Sequence, residues 1–262
     1  MTLVGTWENA YHSKVVIDQF GDLLVGIYSS TTGSTGSYLV LGYQQKNEPS
    51  KTSGQAAALA IEWHSLDGGQ GDASWHWTSG LSGQLSLQDT GETLVLGHVL
   101  TASTEFSGLV PQPGNYIDKL TYTRTSAKPE KTVAKPELAE IGPIPDPLWG
   151  TWRADDGTTM KLQVSSFHNF ASGWVMGDLT TGGKTYNITG FTDINAKGQG
   201  LALQAASLVA RLGDNGPAVA YSGTLKYADG LLTMIEMTSQ ATGPKATYVQ
   251  TRASGRVFRK VS

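Results

Sequence analysis

Four short segments place polar side chains where strand alternation brings them to a shared face. In an extended strand, residues two apart point to the same side. Trp7 therefore shares a face with Asn9, Tyr28 with Ser30, Leu59 and Ile61 with Trp63, and Asp118 with Leu120. Together these faces mix apolar bodies with amide, hydroxyl and carboxylate groups. Drawn into an apolar enclosure, such donors and acceptors are costly unless paired. They can satisfy one another, hold water, or receive a ligand with complementary groups, and spacing alone leaves all three open. Catalysis fits less well. The chain has no cysteine, which removes disulfides, thiolate nucleophiles and thiolate metal sites. Its five histidines include no His-x-His or His-Glu-x-x-His pattern, and His64 and His76 fall on different strands, so no metal site is expected. Gly-x-Ser-x-Gly and P-loop signatures are missing too. The expectation is a protein that is not an enzyme and needs no cofactor.

Faces of this kind need strands to carry them. With 262 residues, 39% hydrophobic, 16% charged and 32 glycines, the chain suits short strands and tight turns better than helices. The alternation predicts strands over about 4–9, 14–19, 23–30, 37–44, 56–64, 73–82, 93–101 and 116–124, separated by Gly-, Ser- and Asp-rich turns such as Phe20-Gly21-Asp22. Eight antiparallel strands joined by short hairpins avoid exposed edges by closing into an up-and-down barrel, with room inside for one small ligand. Gly-Thr-Trp occurs twice, at Gly5–Trp7 and Gly150–Trp152, and each copy opens such a unit, so the chain reads as a tandem repeat. Between the units, residues 126–147 hold Pro129, Pro136, Pro143, Pro145 and Pro147, half of the 10 prolines. That composition predicts a semi-stiff linker, or else an ordered strap over a barrel. The expected domains are thus 1–125, a linker 126–147 and 148–262. A net charge of −3 spread along the chain disfavours nucleic acid, and no apolar run reaches the roughly 20 residues of a spanning helix. Strand signals start close to Met1, so the expectation is a secreted protein if a leader was removed and a cytoplasmic one otherwise.

The first unit, from Gly5 to Arg124, resembles the avidin and streptavidin family. Gly5-Thr6-Trp7-Glu8-Asn9 with Ser13 is similar to that family's first strand and turn, and Gly26-Ile27-Tyr28-Ser29-Ser30 to its third strand. Trp63 falls where the fifth strand carries a binding-site Trp, and Asp118-Lys119-Leu120-Thr121 is similar to the closing Asp-x-Phe-Thr. The resemblance implies an eight-stranded barrel that binds biotin. Asn9, Ser13 and Tyr28 would donate to the ureido oxygen, Ser30 and Asp118 would accept from the two ureido N–H groups, and Trp63 would form a wall. The chemistry is coherent, because a urea needs donors converging on its oxygen and acceptors at its flanks.

Around strand six, two registers are compatible with the family's aromatic-Ser/Thr-Gly-Gln. Trp77-Thr78-Ser79-Gly80 makes Trp77 the second wall; Leu81-Ser82-Gly83-Gln84 gives that place to Leu81 and a ligand contact to Ser79. Both put residues 75, 77, 79 and 81 on one face, so Trp75 and Trp77 are expected to line the cavity. His98 stands where the family usually has Trp, and Glu105–Val110 holds no Trp to cap a neighbouring site. Weaker binding than is usual for the family is therefore expected.

In the second unit, Met160–Val164 is matched to Lys14–Asp18, Tyr186–Phe191 to Tyr38–Tyr43, Leu201–Ala205 to Leu59–Trp63, and Gly255–Val261 to Asp118–Arg124. On that alignment Ala154, Thr158, Val175, Gly177 and Ala205 replace Asn9, Ser13, Tyr28, Ser30 and Trp63, so this barrel is expected to be degenerate. The family assembles as a tetramer of single barrels, so two of these chains would supply four, which implies a homodimer forming a pseudo-tetramer. The alternative is a lectin-like or toxin-like defence protein that uses the scaffold without biotin.

Overall fold

A computed structural model describes residues 2–31, 34–67, 72–89, 91–130, 142–167, 172–243, 245–246 and 251–261. Two closed antiparallel barrels account for nearly all of them. The first comprises β1 Gly5–Asn9, β2 Lys14–Phe20, β3 Leu23–Ser30, β4 Gly36–Gln44, β5 Gln55–Glu62, β6 Trp77–Gln88, β7 Gly91–Ala102 and β8 Gly114–Ser126. The second comprises β9 Gly150–Ala154, β10 Thr159–Phe167, β11 Ser172–Thr181, β12 Lys184–Thr192, β13 Leu203–Arg211, β14 Ala218–Lys226, β15 Leu231–Ser239 and β16 Thr251–Lys260. Each strand pairs with its sequence neighbours, and the last closes on the first (β8 on β1, β16 on β9), which leaves no sheet edge open. Of the linker, residues 131–141 lie outside the described residues. Its ends are attached: Glu130 N donates to Thr6 Oγ1 (3.2 Å), and Ile144 N donates to Val164 O (3.0 Å) beside β10.

The Gly-Thr-Trp copies do the same structural job. Trp7 and Trp152 are fully buried; their indole N–H groups donate to Leu3 O (2.8 Å) and Leu148 O (2.7 Å). A cation lies over each ring, Arg124 at 4.2 Å and Lys260 at 5.4 Å. The repeat thus marks one end of each barrel, where a large aromatic fills the interior.

The barrels pack against each other through the outward faces of β4–β7 and β12–β15. Small side chains bring the two sheets close, with Ala56, Ala58 and Ala60 of β5 in one cluster with Val209, Ala218 and Ala220. Gly80 is required there because a Cβ would collide with Ser222 Oγ of the other barrel. Hydrogen bonds cross the seam from Ser207 Oγ to Thr78 Oγ1 (2.9 Å), from Ser82 Oγ to Ser239 Oγ (2.9 Å) and from Gln84 Nε2 to Thr242 Oγ1 (2.8 Å). Ionic contacts join them as well: Arg211 to Asp22 (2.9 Å), Lys46 to Asp214 (3.0 Å) and His76 Nδ1 to Asp193 Oδ2 (2.7 Å), with Gln199 Oε1 3.0 Å from His76 Nε2.

Strand six starts later than the alternation suggests and runs further, 77–88 rather than 73–82. Ala73–His76 instead forms a single 3-10 turn capped by Asp72, whose carboxylate accepts from Ser74 N at 2.8 Å. This corrects the placement of Trp75. It lies outside the barrel lumen, with its ring against His64 at 3.6 Å between centroids and the two planes inclined by 51°.

Candidate functional site

The open end of the first barrel holds a cavity of about 360 Å³, lined by Asn9, Tyr11, Ser13, Tyr28, Ile61, Trp63, His98, Asp118 and Leu120. Six of the nine residues expected at the site are therefore together. Asn9 ends β1 and Ser13 precedes β2; a tight turn brings them together, with His12 N donating to Asn9 O (3.0 Å) and His12 in the left-handed region at φ 61°. Asn9 Oδ1 accepts from Tyr11 N and Ser13 N, both at 3.0 Å. The amide oxygen is thereby committed to the turn, which leaves Nδ2 as the donor end. Ser13 is 1% exposed, and among the described residues its Oγ has no hydrogen-bond partner.

Tyr28 stands on β3 opposite Val15 and meets Trp63 edge-on, with centroids 5.8 Å apart. Behind it, the Tyr122 hydroxyl is within hydrogen-bonding reach of Asn9 and Tyr28, and burial pushes it well above the ordinary phenol range. Trp63 is held in place by its N–H, which donates to Ser79 Oγ at 2.8 Å; His98 Nε2 lies 2.9 Å from the same oxygen. Ser79 is fully buried, and its hydroxyl ties the Trp63 indole and the His98 imidazole into one hydrogen-bonded group. Burial pushes His98 down to about 4, only partly opposed by the nearby Asp118 carboxylate, so the ring is neutral at pH 7. Asp118 sits across the ladder from His98 and faces the open mouth; its Oδ1 accepts from Lys119 N at 2.6 Å.

Ser30, Trp77 and Ser79 do not line the cavity. Ser79 braces Trp63 and His98, as described above. Trp77 lies behind Trp63 at 6.0 Å, against Phe106 at 5.3 Å. Ser30 is buried at the end of β3, opposite Gly36. Strand pairing places Ile61 opposite Ser79 and Leu59 opposite Leu81. Sequence reasoning missed Tyr11 at the mouth, although it lies inside the Asn9–Ser13 turn. It also missed Phe106, an aromatic within the segment noted for lacking Trp. Among the described residues, no group of three or more His, Asp or Glu side chains could hold a metal, and no helix is long and apolar enough to cross a membrane.

The same ladders correct the alignment of the second barrel. Trp7 pairs with Val15 and Trp152 with Met160, so Met160 corresponds to Val15, one residue away from the expected match to Lys14. Carried strand by strand around the barrel, the equivalents of Tyr28, Ser30 and Trp63 are Leu179, Thr181 and Leu212 rather than Val175, Gly177 and Ala205. Ala154 and Thr158 do stand at the Asn9 and Ser13 positions, closing the same turn with Ala154 N donating to Thr158 O (2.9 Å). Ser254 rather than Gly255 takes the place of Asp118, and Glu236 that of His98.

No protein-family model matches the chain, and no curated protein matches it. Among solved structures it is similar to the crystal structure of xenavidin, at 20% identity and a TM-score of 0.36, over 47% of this chain and 97% of that one.

Proposed function

We propose that the first barrel is a non-catalytic binding site for biotin or a similar cyclic urea. The observation that carries this reading is the buried Ser13 hydroxyl, which has no partner among the described residues and opens on a cavity shared with Asn9, Tyr28 and Asp118. An unpaired buried hydroxyl costs about 1–3 kcal/mol, and a carbonyl oxygen arriving beside Asn9 Nδ2 and Tyr28 would remove that cost. Asp118 would accept from a ligand N–H at the rim, and Trp63, Ile61 and Leu120 would enclose the apolar part. Neutral His98 suits an uncharged ligand core. Affinity would be modest, because Asp118 faces solvent and Ser30 stands outside the cavity, so only one of the two expected flanking acceptors is in place.

The reading extends to a homodimer with four barrels. Ile117 on the outer face of β8 is 70% exposed, and light scattering at micromolar concentration checks the mass. A second reading, a lectin-like or defence module, draws on a separate cavity of about 540 Å³ at the seam, lined by Ser50, Ser53, Gln84, Ser86, Gln88 and Thr242 among others. Hydroxyl and amide groups there suit a polyhydroxylated ligand. Calorimetric titration with biotin separates the two. Saturable heat is expected, weakened about 10- to 100-fold in Asp118→Ala, in line with roughly 1.5–3 kcal/mol for a charge-assisted bond. No saturable heat at millimolar biotin would end the first reading, and glycan-array binding by the same sample would favour the second.

A further inference from the structure

The mouth of the second barrel is occupied by its own chain. By ladder equivalence Glu236 takes the place of His98, Ser254 of Asp118 and Arg256 of Leu120, while turn equivalence places Asp156 at Tyr11. All four first-barrel counterparts line the ligand cavity. In the second barrel they converge on one guanidinium. Arg256 Nε donates to Glu236 Oε2 at 3.1 Å, Nη2 to Glu236 Oε1 at 3.2 Å, and Nη1 to Asp156 Oδ2 at 2.5 Å. Ser254 Oγ donates to Glu236 Oε1 at 3.4 Å. The Glu236 side chain is 8% exposed, so the guanidinium offsets the cost of taking its carboxylate out of water.

A guanidinium and a urea are both planar groups with in-plane N–H donors. They differ at the third position, where urea carries an oxygen acceptor and guanidinium another N–H donor. The two mouths differ in the matching sense. Donors gather around Asn9, Ser13 and Tyr28 in the first barrel, whereas carboxylates grip both sides of the planar group in the second. Bidentate carboxylate binding is the geometry that favours a guanidinium.

We propose that the second barrel is a binding pocket for guanidinium or amidinium compounds that carries its ligand covalently, as Arg256. The pocket is closed while that side chain is in place, and its removal exposes a site for small planar cations. The inference does not depend on what the first barrel binds.

The test uses the full chain with Arg252→Gln and Arg256→Ala together. Arg252 Nη2 lies 4.0 Å from Glu236 on an exposed side chain, and its neutralisation prevents one arginine from replacing the other. The double variant is expected to melt several degrees below Arg252→Gln alone. Millimolar methylguanidinium should restore the loss saturably, as a ligand that binds only the folded state does. Potassium chloride at equal ionic strength and the neutral isostere methylurea should not, and the wild-type chain should show no such response. Adding Glu236→Gln should abolish the restoration. Equal recovery with salt or methylurea overturns the proposal, as does a folded double variant that ignores methylguanidinium. If the alanine variant does not fold, Arg252→Gln with Arg256→Met keeps the apolar stem and is judged by the same outcomes.

Discussion

One barrel presents an open cavity and the other an ion pair at the same height on the same strands. The scaffolds agree where closure demands it: Trp7 and Trp152 make the same hydrogen bond to the backbone four residues upstream, and Tyr122 and Phe258 fill equivalent ladder positions. The mouths have diverged by chemical complementarity. Where the first barrel has neutral His98 beside Asp118, the second has Glu236 beside Ser254, with Arg256 bridging to Asp156. On the readings proposed here, a duplicated fold keeps its core and resolves the buried-polar problem at its mouth in two ways, by admitting a ligand or by supplying one. The second mouth is not wholly apolar on this side either: Thr158 and Thr181, at the Ser13 and Ser30 positions, lie 3.3 Å apart.

Trp63 and its counterpart Leu212 give the sharpest way to break that comparison. Trp63 packs against Tyr28, Tyr38 and Trp77 and is anchored to Ser79, whereas Leu212 is a half-buried side chain against the second core. Trp63→Ala should cost about 3–5 kcal/mol in chemical denaturation, the range for large aromatics truncated in a core. Leu212→Ala should cost about 1–2 kcal/mol from its smaller apolar burial. Equal losses would mean that the aromatic wall is ordinary core and that the first mouth is not specially built.

A middle-sized effect tests whether the barrels behave as one unit. His76 reaches Asp193 across the seam, and Asp193 has no side-chain exposure. The hydrogen bond and charge of Asp193 outweigh burial and raise the His76 imidazole above its ordinary value of 6.5. The folded value exceeds the unfolded one, so this contribution to stability is fully present below about pH 6.5 and is lost as pH rises through the folded pKa. His76→Ala should cost about 1.5–3 kcal/mol at pH 6, typical of a bond to a charged group, and less at pH 8.5. Denaturation at the two pH values checks it. A cost independent of pH would reduce the contact to packing.

The fold was legible in the sequence and the mouth of the second barrel was not, for a physical reason that β13 illustrates. One of its faces meets the barrel core and the other the partner barrel, so Gln204–Ala210 is buried throughout. Such a run has no alternation to fix register, and the sequence match fell on Leu201–Ala205, seven residues from the true equivalent. At β10 a slip of one residue was enough to exchange the faces. Glu236 and Arg256 are equally hidden, because 20 residues separate them in the chain and only the β15–β16 register makes them diagonal neighbours. In the first unit β1, β3 and β8 are held in register by short hairpins and by the Gly-Thr-Trp and Gly-x-Tyr-x-Ser segments. Asn9, Tyr28 and Asp118 were readable there from alternation, while the 3-10 turn that removes Trp75 from the lumen depends on a local Asp72 cap.

The smallest expected effect concerns the turns that precede each mouth. Both close the same way, His12 N to Asn9 O and Gly157 N to Ala154 O, each at 3.0 Å. Both also need a residue with positive φ, 61° at His12 and 85° at Gly157. Glycine enters that region freely, while a side chain with a Cβ is penalised by about 1–2 kcal/mol. His12 recovers part of this through a 2.9 Å contact with Glu8, but the imidazole is 83% exposed, and solvent screens such a pair so that it contributes little. Glycine also loses more backbone entropy on folding, by about 0.5–1 kcal/mol. His12→Gly should therefore stabilise the chain by no more than about 1 kcal/mol and leave ligand affinity unchanged, since Asn9 and Ser13 are held by the turn rather than by the imidazole. A tenfold drop in affinity would show instead that the first barrel's turn is part of its recognition surface, as Asp156 is in the second.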